Sequence, residues 1–211
     1  TGHADTRSAV AAAREAEAHG ADALLVVTPY YNKATQTGLI RHYTTIAESV
    51  RAPIILYNVP SRTGCNLLPK SVAVLAKHPK IVAIKEASGN ISQVAKIAQL
   101  CGDDMTIYSG NDDQIVPCTA LGGKGVISVL SNVYPEATKK MTDSAIWGDF
   151  ETASAMQCKL HPIIKALFSE VNPIPVKAAM EILGYDCGGC RLPLCDLSGE
   201  HRALLKSLLK T

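Results

Sequence analysis

Lys80-Ile-Val-Ala-Ile-Lys-Glu-Ala-Ser88 is the stretch that decides the fold. Ile81 to Ile84 form an unbroken apolar run, and a charged pair, Lys85 and Glu86, follows at once. Such a run, too short for a helix and not alternating with polar residues, reads as a strand covered on both faces. Outward from it the pattern recurs as ADALLVVTPYY (21 to 31), APIILYNVP (52 to 60), MTIYSGN (105 to 111) and KGVISVLSN (124 to 132). Helix candidates lie before and between the strands at 6 to 19, 37 to 50, 69 to 77, 90 to 101 and 112 to 121. Pro69 and Asn90 or Ser92 act as start signals, Gly20 and Gly122 as stops.

Five repeats of helix then strand make either an open doubly wound sheet or a barrel. Polar residues end every strand: Tyr30 and Tyr31, Tyr57 and Asn58, Lys85 and Glu86, Ser109 to Asp112, Ser128 and Ser131. A barrel gathers those ends around one site, so the expected fold is α/β, a (β/α)8 TIM barrel. A complete barrel takes about 250 residues and eight strands, so about three strands are expected to be missing from the front. From 134 onward the pattern is helical only, at 134 to 147, 150 to 168, 174 to 183 and 198 to 210. The first of these is expected to close the barrel. The organisation read from the sequence is therefore a partial barrel at 1–148 and a small C-terminal three-helix domain at 149–211, a common device for oligomer contacts.

The bulk properties narrow the partners. Twenty-one Lys and Arg against 19 Asp and Glu leave a net charge of +2 with no basic run, so neither nucleic acid nor a membrane surface is indicated and a small molecule is the expected partner. No window approaches the roughly 18 apolar residues of a membrane span, and residues 1 to 20 lack the apolar core of a signal peptide. Seven cysteines, an odd number spread over the chain, do not read as a disulfide framework and suit a reducing cytosol. Cys187, Cys190 and Cys195 include a CxxC, but zinc needs a fourth ligand and only His201 is near in sequence, so a cysteine-rich loop without metal is expected.

Within the 81 to 87 run, a period of two puts Ile81, Ala83 and Lys85 on one face and Val82, Ile84 and Glu86 on the other. A lysine facing the way apolar residues face calls for a reason. Desolvation lowers an amine's pKa, and a neutral amine attacks a ketone to give a Schiff base. Alternatively the lysine merely leaves the barrel rim for water, and placement alone does not separate the two. In YNVPSRTG (57 to 64), Tyr57 ends a strand, Pro60 and Gly64 bend the loop, and Arg62 sits at its tip. A tyrosine hydroxyl shuttles protons in carbinolamine and aldol steps, and an arginine fork clamps carboxylates.

TPYYN (28 to 32), YNVPSRTG (57 to 64), IKEASGN (84 to 90), YSGND (108 to 112), LGGKGVISV (121 to 129) and NPIPVK (172 to 177), in this order and spacing, resemble the dihydrodipicolinate synthase family over the whole chain. The arginine of SRTG separates that family from sialic acid lyases in the wider pyruvate-dependent class I aldolase superfamily. The resemblance implies that Lys85 forms the imine with pyruvate, that Tyr57 donates and accepts protons, and that Tyr31 is a relay tyrosine lent across a tight dimer interface. It implies that Arg62 holds the carboxylate of L-aspartate 4-semialdehyde, that the backbones of Gly110 and Ile127 line the pyruvate pocket, and that the product is 4-hydroxy-tetrahydrodipicolinate of lysine and diaminopimelate biosynthesis. It further implies a cytoplasmic dimer of dimers needing neither metal nor organic cofactor. Alternatives are a related pyruvate-type sugar-acid lyase or dehydratase, and a catalytically impaired fragment.

Two departures stand out. The family's Gly-Thr-Thr-Gly-Glu segment, which binds the pyruvate carboxylate, is absent, in keeping with the missing strands. Tyr30 matches a residue of the family's lysine feedback site, but Ala4 and Ser8 stand where lysine-inhibited members have Asn and Glu. Weak or absent inhibition by lysine is therefore expected.

Overall fold

The structure is a computed structural model that describes residues 1–209. Two compact units divide at Ile127 and Ser128. The first is built on five strands, β1 (Leu24–Val27), β2 (Ile54–Asn58), β3 (Ile81–Glu86), β4 (Thr106–Ser109) and β5 (Gly125–Val126). All neighbours pair in parallel, and spatial order equals chain order, β1-β2-β3-β4-β5. Each expected strand is present within its expected window, but shorter: β1 stops at Val27, leaving Tyr30 and Tyr31 in the following turn.

Helices α1 (Thr6–Ala18) and α2 (Gln36–Ser49) flank β1, the short α3 (Pro60–Thr63) follows β2, α4 (Pro69–Leu75) precedes β3, and α5 (Ile91–Cys101) and α6 (Ile115–Ala120) follow β3 and β4. Local chemistry starts them. The side chains of Asp5, Thr35 and Asn90 accept the backbone N–H of Ser8, Gly38 and Gln93, which satisfies donors the first turn leaves open. Pro69 opens α4 where a missing N–H costs nothing. Spacing orients them: Leu39, His42, Tyr43, Ile46 and Ala47 bury one stripe of α2.

Those stripes meet Leu24, Val26, Ile54, Leu56, Ile81, Ile84 and Ile107 of the strands in one core cluster. The helices thus cover one face of the sheet. On the other face Leu25, Val27, Ile55, Tyr57 and Lys85 are only partly buried, so the expectation of equal cover on both faces is not met in this chain. The strict two-residue period of β3 also needs correction. The register to β2 slips by one residue between Ile54 and Ile55, pairing Ile54 with Ile81 but Ile55 with Ala83. The extra residue is Val82, which is exposed, and Ile81 joins the helix-covered core instead of sharing a face with Lys85.

Two local readings change as well. The 57 to 64 segment is not a plain loop: Pro60 starts a helical turn and Gly64, at φ 68°, closes it in the left-handed region that glycine adopts without strain. The single helix expected at 112 to 121 is a 3-10 turn at 112–114 followed by α6.

The second unit opens with a 3-10 turn at 130–132 and continues as α7 (Pro135–Ile146), α8 (Phe150–Leu167), α9 (Ile174–Ile182) and α10 (Gly199–Leu208). Helix α7 packs on α8, and α10 packs on both α8 and α9. Residue 210, the expected end of the last helix, lies outside the described residues. Among the described residues no helix is long and apolar enough to cross a membrane.

Candidate active site

The register pairs Tyr57 with Lys85 and, one step on, Asn58 with Glu86. Alternation along the strands then sends Tyr57 and Lys85 to one face and Asn58 and Glu86 to the other. The Lys85 Nζ lies 4.4 Å from the centroid of the Tyr57 ring. Burial holds the Lys85 amine below the usual lysine range; Asp112 opposes that shift and the positive charge of Arg62 adds to it. Burial raises the Tyr57 phenol, and Arg62 pulls it partly back. The pair is therefore an amine more available in its neutral form than a surface lysine, beside a phenol that keeps its proton.

Arg62 sits in α3, where its N–H donates to the Val59 carbonyl (3.0 Å), and its side chain is exposed. Its effect on both Tyr57 and Lys85 places its charge at the same end of the sheet. Gly110 follows β4 and donates its N–H to the Glu86 carbonyl (2.8 Å). A Cβ there would stand 3.0 Å from Lys85 Cε and 2.5 Å from Ala87 Cβ, so only glycine leaves the lysine its place. Ile127 follows β5 and donates its N–H to the Ser109 carbonyl (2.9 Å). Lys85, Tyr57, Arg62 and Gly110 are thus brought together, with Ile127 on the neighbouring strand end.

Tyr31 is not brought into this group. Its backbone N–H donates to the Thr63 carbonyl (3.2 Å), while its side chain is 89% exposed. Its φ of 73° is rare for a bulky residue and costs about 1–3 kcal/mol. Asn58, Glu86 and Asp112 were legible only as polar strand ends. Each is in fact buried, at 0%, 3% and 1% exposure. The one signal in the sequence was a charged or amide residue directly after Tyr57 and Lys85, where alternation turns it toward the helices.

Cys187, Cys190 and Cys195 line a cavity of about 490 Å³ in the second unit, with Lys177, Asp186 and Arg202. His201, the candidate fourth ligand, is not among the residues lining that cavity and is engaged by Glu170 (2.7 Å) and Ser198 (3.1 Å). Among the described residues no group of three or more His, Cys, Asp or Glu side chains is placed to hold a metal ion.

A desolvated amine over a phenol ring, at the C-terminal strand ends of a parallel α/β sheet, defines a protein equipped for imine chemistry on a carbonyl compound. The chain belongs to the dihydrodipicolinate synthetase family, whose profile matches residues 1–211. The 4-hydroxy-tetrahydrodipicolinate synthase of Caldicellulosiruptor saccharolyticus is 56% identical over 204 residues, 97% of this chain and 69% of that protein. The crystal structure of the chloride-inhibited dihydrodipicolinate synthase from Acinetobacter baumannii complexed with pyruvate is 42% identical. It superposes with a TM-score of 0.97 over 100% of this chain and 72% of that one. A monomeric dihydrodipicolinate synthase variant is also 42% identical, with a TM-score of 0.97 over 99% of this chain and 71% of that one.

Proposed function

We propose that this chain carries the condensing site of a 4-hydroxy-tetrahydrodipicolinate synthase, a lyase of lysine and diaminopimelate biosynthesis, with Lys85 as its nucleophile. The observation that carries the reading is the half-buried Lys85 amine 4.4 Å from the Tyr57 ring centroid, on adjacent paired strand ends. The neutral amine attacks the ketone carbon of pyruvate, and Tyr57 returns the proton that lets the carbinolamine lose water. Loss of a methyl proton from the resulting imine gives an enamine, whose carbon bonds to the aldehyde carbon of L-aspartate 4-semialdehyde. The semialdehyde's own amine then displaces Lys85 and closes the ring, so one water leaves per product formed and the lysine is regenerated. Arg62, exposed at the same end, is the carboxylate clamp for the incoming semialdehyde.

The remaining assignments follow from this reading. Gly110 and Ile127 line the pyruvate pocket with backbone. Tyr31 holds a costly φ with its ring in solvent, which suits a ring built to enter a neighbouring subunit's site as a proton relay; a dimer of dimers is the assembly in which it would do so. The five consecutive parallel strands, with helices on one face and a half-buried polar group on the other, fit a portion of a (β/α)8 barrel. The proposed boundary between the barrel and the C-terminal helical domain is 148/149. A cytoplasmic location, no metal and no organic cofactor complete the assignment. Ala4 and Ser8 predict that millimolar lysine leaves the rate within about twofold of its uninhibited value.

Borohydride trapping in the presence of pyruvate, followed by peptide mass analysis, tests the reading. A reduced pyruvyl adduct on Lys85 is expected; an adduct on another lysine, or none, would overturn it.

A further inference from the structure

Behind the sheet, on the face opposite Tyr57 and Lys85, lies a buried polar network that the condensing chemistry does not touch. Glu86 is its centre. Its Oε1 accepts the Ser88 N–H (2.6 Å), and its Oε2 accepts the amides of Asn58 (2.9 Å) and Gln93 (3.2 Å). Asn58 is used completely: its Nδ2 also donates to Asn66 Oδ1 (2.8 Å), and its Oδ1 accepts the Leu67 N–H (2.9 Å). Asn66 and Gln93 exchange two bonds, each 3.0 Å. Gln36 of α2 extends the chain, donating to the Asn66 carbonyl (2.8 Å) and accepting from Leu68 N–H (3.0 Å) and Ser71 Oγ (2.7 Å). A buried carboxylate costs several kcal/mol unless its oxygens are met, and here three N–H donors meet them.

The placement of these bonds gives them a purpose beyond balancing burial. The Asn58–Glu86 bond joins the two residues that immediately follow Tyr57 and Lys85, in the register that pairs those two. The backbone repeats the tie, with Ala87 N–H donating to the Asn58 carbonyl (2.9 Å), while Gly110 N–H, just past β4, donates to the Glu86 carbonyl (2.8 Å) and joins β3 to the next strand. The Leu67 and Asn66 contacts anchor the return of the segment that carries Arg62. The network therefore fixes β2 against β3 at the point where Lys85 must meet Tyr57.

We infer that Glu86, with Asn58 and Gln93, is a positioning element that holds the Lys85 amine over the Tyr57 ring from the far side of the sheet. The inference rests on the imine reading of Lys85 for its bearing on catalysis, but not for its geometry. It makes a specific claim about polarity. In Glu86→Gln one oxygen becomes a donor, and whichever way the amide turns, a donor faces a donor at Ser88 or at Asn58 and Gln93. Asn58 cannot turn over to relieve this, because Leu67 and Asn66 hold both its ends. Adding Asn58→Asp reverses the whole circuit. The carboxylate introduced at position 58 would accept from Leu67 N–H, from the amide introduced at position 86 and, once Asn66 and Gln93 turn over together, from Asn66. Gln93 would then accept from that same amide at position 86.

The experiment compares wild type, Glu86→Gln, Gln93→Ala and the double variant Glu86→Gln with Asn58→Asp by two readouts. The first is the rate of pyruvate-dependent borohydride trapping at Lys85. The second needs no pyruvate: the pH midpoint for acylation of Lys85 by acetic anhydride, read by peptide mass analysis, with Tyr57, Arg62 and Asp112 the titratable or charged groups facing the amine. Glu86→Gln should trap about 10- to 100-fold more slowly, the cost of an ångström-scale misplacement. Its labelling midpoint should rise toward that of a solvent lysine, about 10.4. Gln93→Ala should show the same changes in smaller degree, and the double variant should recover to within about threefold of wild type. A contribution to stability alone would lower melting temperatures and leave the labelling midpoint in place. Unchanged midpoint and trapping in folded Glu86→Gln, or in folded Gln93→Ala should the former not fold, would overturn the inference. Wild type that fails to trap pyruvate would instead count against the imine reading, while the labelling midpoints still decide the positioning role.

Discussion

Gly110→Ala is the sharpest perturbation of the candidate site, because its effect is set by distances. Gly110 does not use the left-handed backbone region, so alanine adds one methyl group and no backbone strain. That methyl would sit 2.5 Å from Ala87 Cβ, 3.0 Å from Lys85 Cε and 3.2 Å from Lys85 Cγ, where ordinary contacts are 3.4–4 Å. The shortfall at Ala87 is 3.4 minus 2.5, or 0.9 Å. Ala87 Cβ is fixed to its own backbone, so relief requires the ends of β3 and β4 to part or the lysine stem to move. Overpacking of this size costs about 1–3 kcal/mol. At about 2–4 °C per kcal/mol for a chain of this length, melting should fall by about 2–12 °C. A displacement of Lys85 by about 1 Å should slow pyruvate trapping about 100-fold. Thermal melting and the trapping rate, measured on the same preparation, check both numbers. Trapping within twofold of wild type at an unchanged melting temperature would refute the packing of Gly110 on Lys85.

Other expectations concern stability. Because burial lowers the Lys85 amine, the unfolded chain holds a proton that the folded chain has lost between the lowered value and 10.5, so this lysine's cost falls as pH rises through that window. Lys85→Met should therefore melt higher than wild type at neutral pH, with the gain shrinking toward pH 10.5; a pH-independent gain would contradict it. His42 is 5% exposed, its Nδ1 pairs with Thr6 Oγ1 (2.9 Å) and its Nε2 is buried without a partner. Burial lowers its pKa, so the unfolded chain takes up a proton the folded chain excludes, and stability should drop as pH falls below about 6.5. His42→Gln should flatten that slope in melts between pH 7 and pH 5, conditions chosen to bracket the ordinary histidine value. Asn90→Ala removes the cap of α5 and should cost about 1 kcal/mol, seen as a melting temperature lower by about 2–4 °C.

Much of the sheet was legible because each strand is a short apolar run bounded by polar residues, and the longer helices begin at a cap or proline and show a buried stripe. The site was legible to the extent that chemistry sat at strand ends. Lys85, Tyr57, Arg62 and Gly110 meet where parallel strands finish, and parallel order brings sequential ends side by side. Three features escaped for physical reasons. The slip between Ile54 and Ile55 depends on how two distant strands settle against the helices, so counting by twos from Ile81 put that residue on the wrong face. The helical turn at Pro60 was signalled by proline at its start and glycine at its end, but a span of four residues carries no periodicity to read. The Glu86 network joins residues 36, 58, 66, 86 and 93, whose proximity exists only after the sheet has formed.

The same alternation that hid the network explains why it can matter. A strand end has two faces, and whatever fixes one face fixes the other, because adjacent side chains share a backbone that cannot turn between them. On the proposed reading Tyr57 carries protons and Lys85 a covalent intermediate, so they need room to move and cannot lock each other in place. Asn58 and Glu86 undergo no reaction and are dry, so their bond of 2.9 Å can be held by burial and by further partners. Rigidity is thereby supplied from the helix-covered side while the open side stays free to react. On this division of labour, variants behind the sheet should change the rate of imine formation more than its substrate preference, whereas Arg62→Ala should chiefly change the preference for the semialdehyde and alter imine formation only through the lost charge beside the Lys85 amine.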